Sequence, residues 1–185
     1  NNQREMGDAS EKALAESDAV ITSGGVWKRE RDLTVKTIRE MGGELVFHHV
    51  RKGPGKAVAL MLVVVKPVFC LPGGPASNEM AFLQIALPGL LRLAGRSPRP
   101  FARRRARLLD GLKGERDWTQ FFQGSLGCEV GAWTVSSLRG ESRLRSQAEA
   151  RAVTCLPDSV RHLDGGAEVS VQGRCASGRS RGAER

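Results

Sequence analysis

Three short segments in the first half of the chain carry residues able to hold an anion: Ser23-Gly24-Gly25, Pro54-Gly55-Lys56 and Leu71-Pro72-Gly73-Gly74-Pro75. Glycine lets backbone amides approach a bound oxyanion closely, and proline fixes the turns that expose them. Asp32 and Lys56 place an aspartate and a lysine at the edges of these turns. One such turn would mean little. Three within about sixty residues predict a pocket for a phosphorylated or oxyanionic small molecule. Each piece also has a plain structural explanation: a tight turn at Gly24-Gly25, a helix cap at Asp32, a solvated Lys56, and a strand-to-helix connection at 71–75. Their joint order carries the reading.

The elements that must position these residues read as α/β. Residues 1–16 form a helix lead-in with Leu14 as its main apolar contact. The apolar run 19–22 reads as a buried parallel strand. Asp32 can cap a helix over 33–41, with Val35, Ile38 and Met41 on one face, and Gly42-Gly43 stops it. Residues 44–50 form a second strand, and 58–65 with 68–71 form a hairpin or two successive strands. Ser77 stands where an N-cap belongs, with Glu79 in the first turn and Met80, Leu83 and Leu87 at helical spacing. Pro88-Gly89 is expected to kink or break that helix.

Ser97-Pro98-Arg99-Pro100 is a linker by composition. Beyond it the runs 118–122, 129–136, 152–156 and 167–171 are short and β-prone, which predicts a small all-β domain. The expected division is an α/β domain over 1–96, a barrel-type domain over 97–172 and a disordered basic tail over 173–185.

Composition narrows the class. Hydrophobic residues make up 40% of the chain and aromatics 5%, with no Tyr, so the core must be aliphatic. The longest apolar run, 57–65, is far short of the roughly 20 residues that span a bilayer. A polar start without Met reads as a fragment boundary. Cys70, Cys128, Cys155 and Cys175 form no C-x-x-C pair and read as reduced thiols. His48 and His49 are adjacent on a strand, point to opposite faces and cannot easily share a metal. The net charge is +9, with 13 Lys/Arg against 10 Asp/Glu in residues 1–96 and 16 against 10 in residues 97–185. The excess therefore sits around Arg99, Arg103, Arg104, Arg105 and Arg107 and in the tail. It lacks the aromatic interleaving of a stacking surface, which argues against nucleic acid as the partner.

The order of motifs resembles a known family. Asp18-Ala19-Val20-Ile21-Thr22-Ser23-Gly24-Gly25-Val26 through Asp32 looks like D-x-x-I-T-S-G-G-V-S-x-G-x-x-D. Pro54-Gly55-Lys56 looks like K-P-G-K-P, and Leu71-Pro72-Gly73-Gly74-Pro75-Ala76-Ser77 looks like L-P-G-N-P-x-S. In that order they are similar to the molybdopterin molybdenumtransferases, the MoeA and gephyrin E-domain family. Leu91-Arg92-Leu93-Ala94-Gly95 and stretches at 144–157 and 165–171 extend the resemblance to roughly residues 9 to 172.

The resemblance implies a partial MogA-like, three-layer molybdopterin-binding domain followed by a small β-barrel. It implies a cytoplasmic enzyme that inserts molybdate into adenylylated molybdopterin with Mg²⁺, dimeric in the full-length family. Carried over by position, Asp32 and Lys56 would be catalytic and Asp32 a metal ligand. Thr22, Ser23, Gly24, Gly25, Pro72, Gly73, Pro75 and Ser77 would bind the pterin substrate. The family's domain opens with a strand and a T-G-D-E-L motif that does not precede Asn1, so the expectation is a C-terminal fragment or a diverged homologue. Departures fall at Trp27-Lys28-Arg29, Gly53, Ala57, Gly74 and Glu141, with Lys52 a possible substitute for the lysine missing at 53. They motivate an alternative: a molybdopterin-binding or scaffold module without turnover.

Overall fold

The structure is a computed structural model that describes residues 2–26, 33–138 and 147–173. It divides into two compact units, Asn1–Pro100 and Phe101–Arg185. Trp27, Asp32, Glu141, Cys175 and the basic tail beyond Gly173 lie outside the described residues.

In the first unit, helix α1 (Asn2–Glu16) leads to strand β1 (Val20–Ser23), then α2 (Leu33–Glu40), β2 (Glu44–His48) and a two-residue extended piece, β3 (Lys52–Gly53). The hairpin β4 (Ala59–Val63) and β5 (Lys66–Leu71) follows. These strands form one sheet in the order β1-β5-β4-β2. β1 runs parallel to β5 with Val20 opposite Val68 and Ser23 opposite Leu71, whereas β4 is antiparallel to both its neighbours. The two apolar runs at 58–65 and 68–71 are thus a hairpin.

Alternation along the central strand explains the layers. Val68 and Cys70 point to one face, where they meet Val20, Ala59 and Met61 under Leu14 of α1 and Val35 and Ile38 of α2. Phe69 and Leu71 point to the other face, where Ala81 and Ala86 cover them. The Lys66 ammonium donates to the Leu14 carbonyl at 2.6 Å and ties the hairpin to the end of α1.

The covering helix differs from its sequence-based expectation in two ways. It begins at Pro75, with Gly74 as N-cap and no side-chain cap, so Ser77 lies inside the first turn. Proline at the first helical position needs no amide partner, and the N-cap lies three residues upstream of Ser77. The helix also does not break at Pro88-Gly89. Helix α3 (Pro75–Ala81) passes through a π-helical segment (Phe82–Ala86) into α4 (Leu87–Leu93). The wider π turn shifts the hydrogen-bond ladder just before Pro88, which then occupies the start of α4. Gly89 is fixed by packing: a Cβ there would lie 2.7 Å from Cζ of Phe69.

The second unit is a closed barrel. Its strands are β6 (Arg103–Leu108), β8 (Thr119–Glu129), β9 (Ala132–Ser137), β10 (Ala152–Leu156) and β12 (Glu168–Gly173); β7 (Leu112–Lys113) and β11 (His162–Leu163) form a separate short pair. The barrel order is β10-β12-β6-β9-β8, and β8 pairs back to β10. Strand β8 changes partner at Gly124, which pairs with Ala152 on one side and Ser137 on the other. A Cβ at Gly124 would meet Val135 Cγ2 at 2.7 Å, so this corner requires glycine. One β-prone run and the basic block differ from their sequence-based reading. The run 129–136 is divided by a turn at Val130-Gly131, both at positive φ (48° and 79°). The arginine block at 103–107 is itself a strand, with Ala106 and Leu108 buried and the arginines outside. Among the described residues no helix is long and apolar enough to cross a membrane.

Candidate functional site

The carboxyl ends of the parallel pair β1 and β5 lie side by side, and each runs into a glycine loop. In open α/β sheets this is where ligands bind. The Gly24 amide donates to the Leu71 carbonyl at 2.9 Å, which holds the two exits together. Gly24 and Gly25 take φ of 93° and 72°, conformations that L side chains rarely adopt. Thr34, at the start of α2, donates its hydroxyl to the Gly24 carbonyl at 3.0 Å, and a Cβ on Gly25 would fall 2.4 Å from that same oxygen. Across the gap, a Cβ on Gly73 would sit 3.3 Å from the Gly24 Cα. The loops therefore pack glycine against glycine. Gly73, Gly74 and Pro75 are exposed.

The third loop reaches the same helix from another side. Gly55 is buried at φ 96°, and a Cβ there would lie 2.8 Å from the Ser77 carbonyl and 3.2 Å from the Ala81 amide. Lys52 is buried, and its ammonium donates to the Met80 carbonyl at 2.8 Å. Lys56, the third residue of this loop, is exposed. The structure thus brings Ser23 and Pro72 onto Asn78 of α3 and Gly55 against Ser77 and Ala81 of the same helix, with Gly24 packed on Gly73 and Gly25 on Thr34 of α2.

Strand alternation separates Thr22 from this group. Thr22 is opposite Cys70 in register, and its hydroxyl faces that thiol on the α1/α2 side of the sheet. Burial pushes the Cys70 thiol up to about 11, with the Thr22 hydroxyl acting in the other direction. Cys70 is therefore a protonated core group. Ser23 points the opposite way, toward α3, where the sequence reading missed its partner. The Asn78 amide nitrogen donates to Ser23 Oγ at 2.9 Å and to the Pro72 carbonyl at 2.8 Å. A carboxamide one helical turn beyond the N-cap was the available signal.

Asp32 lies outside the described residues. Among the described residues no group of three or more His, Cys, Asp and Glu side chains could hold a metal ion. His48 and His49 do not point to opposite faces: β2 ends at His48, His49 turns at φ 65°, and the two rings stack with centroids 4.0 Å apart.

Comparison with known proteins fits this geometry. A family described as "Probable molybdopterin binding domain" matches residues 1–92. A molybdopterin molybdenumtransferase of Nostoc sp. is 27% identical over 180 residues, covering 92% of this chain and 41% of the relative. That of Haemophilus influenzae is 36% identical over 96 residues, covering 51% and 23%. The crystal structure of a molybdopterin biosynthesis MoeA protein from Pyrococcus horikoshii superposes with a TM-score of 0.74 at 32% identity, covering 91% of this chain and 40% of that one. The chain spans less than half the length of these relatives. An α/β unit built around glycine loops, followed by a closed five-stranded barrel, is thus found together in sequence and in structure: the chain is a homologue of the MoeA family of molybdenum cofactor biosynthesis.

Proposed function

We propose that this chain binds molybdopterin through its anionic group where the three glycine loops meet, and that it serves the insertion of molybdate into adenylylated molybdopterin. One observation carries the reading: Ser23-Gly24-Gly25, Pro54-Gly55-Lys56 and Pro72-Gly73-Gly74-Pro75 converge on α3 at the carboxyl ends of β1 and β5. Backbone amides at Gly25, Gly73 and Gly74 bind anionic oxygens, and Lys56 supplies charge at the loop edge. Residues 1–96 form the pterin-binding part and residues 97–172 the barrel, and the setting is the cytoplasm. Asp32 keeps its assignment as catalytic carboxylate and Mg²⁺ ligand. Among the described residues no group of three or more His, Cys, Asp and Glu side chains offers that ion a further donor set.

A second reading, pterin binding without turnover, is favoured by Lys52. This cation, nearest the family lysine missing at Gly53, is buried on the Met80 carbonyl. Anaerobic titration with molybdopterin, paired with molybdate-dependent reconstitution of a molybdenum-free apoenzyme, separates the readings. Binding with conversion, abolished in Asp32→Asn at unchanged stability, supports the first. Binding without conversion selects the second, and no binding refutes both.

A further inference from the structure

Two of the three loops are joined by a side chain that the resembled motifs do not contain. Asn78 has one carboxamide nitrogen, and its two protons go to Ser23 Oγ at 2.9 Å and to the Pro72 carbonyl at 2.8 Å. Those partners belong to loops far apart in sequence, the first 55 residues away from Asn78 and the second 6. The backbone joins the same two loops once, from the Gly24 amide to the Leu71 carbonyl, and Asn78 adds the side-chain bonds between them. Thr34 fixes Gly24 from the α2 side.

Position 74, where the L-P-G-N-P pattern has asparagine, is glycine here. Asn78 stands four residues later, one helical turn on and on the same face. Gly74 has φ −72° and ψ 131°, open to any residue, and a Cβ there would meet nothing within 4 Å. The site therefore has room for a carboxamide at 74 and obtains one from 78.

We infer that Asn78 is the positioning residue of the anion site: it clamps the Ser23–Gly25 and Pro72–Gly73 loops in register, as a carboxamide relocated from position 74 to the helix. The inference rests on the proposed pterin site for its ligand, and on the geometry alone for the clamp. A preset loop pair presents its amides without reordering them on binding, which is what loss of the clamp removes.

The test uses the full chain and two readouts. Anaerobic calorimetric titration with molybdopterin measures affinity, and amide hydrogen exchange without ligand measures loop order. Asn78→Ala is expected to weaken binding about tenfold, the loss of two hydrogen bonds of ordinary strength, and to speed exchange at Gly25 and Gly73. Gly74→Asn added to Asn78→Ala is expected to restore both to within about threefold of the parent. A merely structural role for Asn78 would not be rescued from another position. Should Asn78→Ala fail to fold, Asn78→Asp keeps the shape and removes both donors, and faster exchange at the same amides is then the expected result. Equal affinity in Asn78→Ala, or no rescue by Gly74→Asn, overturns the inference. Wild-type protein that binds no molybdopterin refutes the proposed function instead, and exchange then decides the clamp: unchanged rates in Asn78→Ala overturn it.

Discussion

Neighbouring glycines in one loop should respond unequally to the same substitution. Gly73 and Gly74 are both exposed, yet an added methyl meets different surroundings. At Gly73 the new Cβ would lie 3.3 Å from the Gly24 Cα, closer than ordinary van der Waals contact. Gly24 cannot easily retreat, because its amide is held by Leu71 at 2.9 Å and its carbonyl by Thr34 at 3.0 Å. Overpacking of this kind costs about 1–3 kcal/mol, and the stiffer unfolded chain returns about 0.4–1 kcal/mol. Gly73→Ala should therefore lose about 1–2 kcal/mol net. At Gly74 nothing lies within 4 Å and the backbone is extended. There the unfolded-state gain offsets the weaker N-cap that alanine makes, leaving a change within about 0.5 kcal/mol. Thermal unfolding followed through the first unit is the assay, since about 1 kcal/mol shifts the midpoint by about 2–4 °C in a chain of this size. Equal midpoints for the two variants, or a larger loss for Gly74→Ala, would refute the glycine-on-glycine packing of the two loops.

Two further outcomes are expected elsewhere in the first unit. Val64, at φ 61° and 89% exposed in the β4–β5 turn, holds a β-branched side chain in a left-handed conformation without burying it. Val64→Asn should stabilise the unit by about 1 kcal/mol, and an unchanged or lowered melting temperature would contradict that strain. Cys70 ionises near 9.0 when exposed and about 11 in the fold. Its contribution is complete below pH 9 and is lost as pH rises toward 11, because only the unfolded chain releases the proton in that window. The thiol alone removes about 2–3 kcal/mol over that range. Denaturant titrations of wild type and Cys70→Ala at pH 8 and pH 10.5 should show a shallower decline in the variant; parallel declines would assign the pH effect to other groups.

The elements of the first unit were legible because their apolar runs match their burial. The run 19–22, the 33–41 periodicity and the glycine stops appear as β1, α2 and the turns around them. What was not legible depended on partners distant in sequence. Asn78 reads as an unremarkable helical polar residue until Ser23 and Pro72 are placed beside it. Ser77 carried the local capping signal, but Pro75 and the packing of Gly55 under the first turn place the helix start earlier. Asp32, with the most specific chemical assignment, lies outside the described residues, so its role stands on resemblance alone.

The arginine block shows how composition concealed a strand. Residues 103–108 read as a basic patch because four of six are arginine, yet period-two burial survives at Ala106 and Leu108. An exposed strand of like charges is tolerable only if its neighbours offset them. Here Glu168 on β12 pairs with Arg105, and Glu129 on β8 meets Arg107 at 2.9 Å. The Arg104 guanidinium lies 5.1 Å from the centre of the Trp133 ring on β9. Three arginines of this basic block thus have partners on three other strands of the barrel. Exposed pairs of this kind add little stability, so their effect is on charge: the outward field of β6 is smaller than its sequence implies. The proposed anion site accordingly rests not where arginines are densest but on the glycine loops of the first unit, where Gly24 packs against Gly73 and Asn78 joins Ser23 to Pro72.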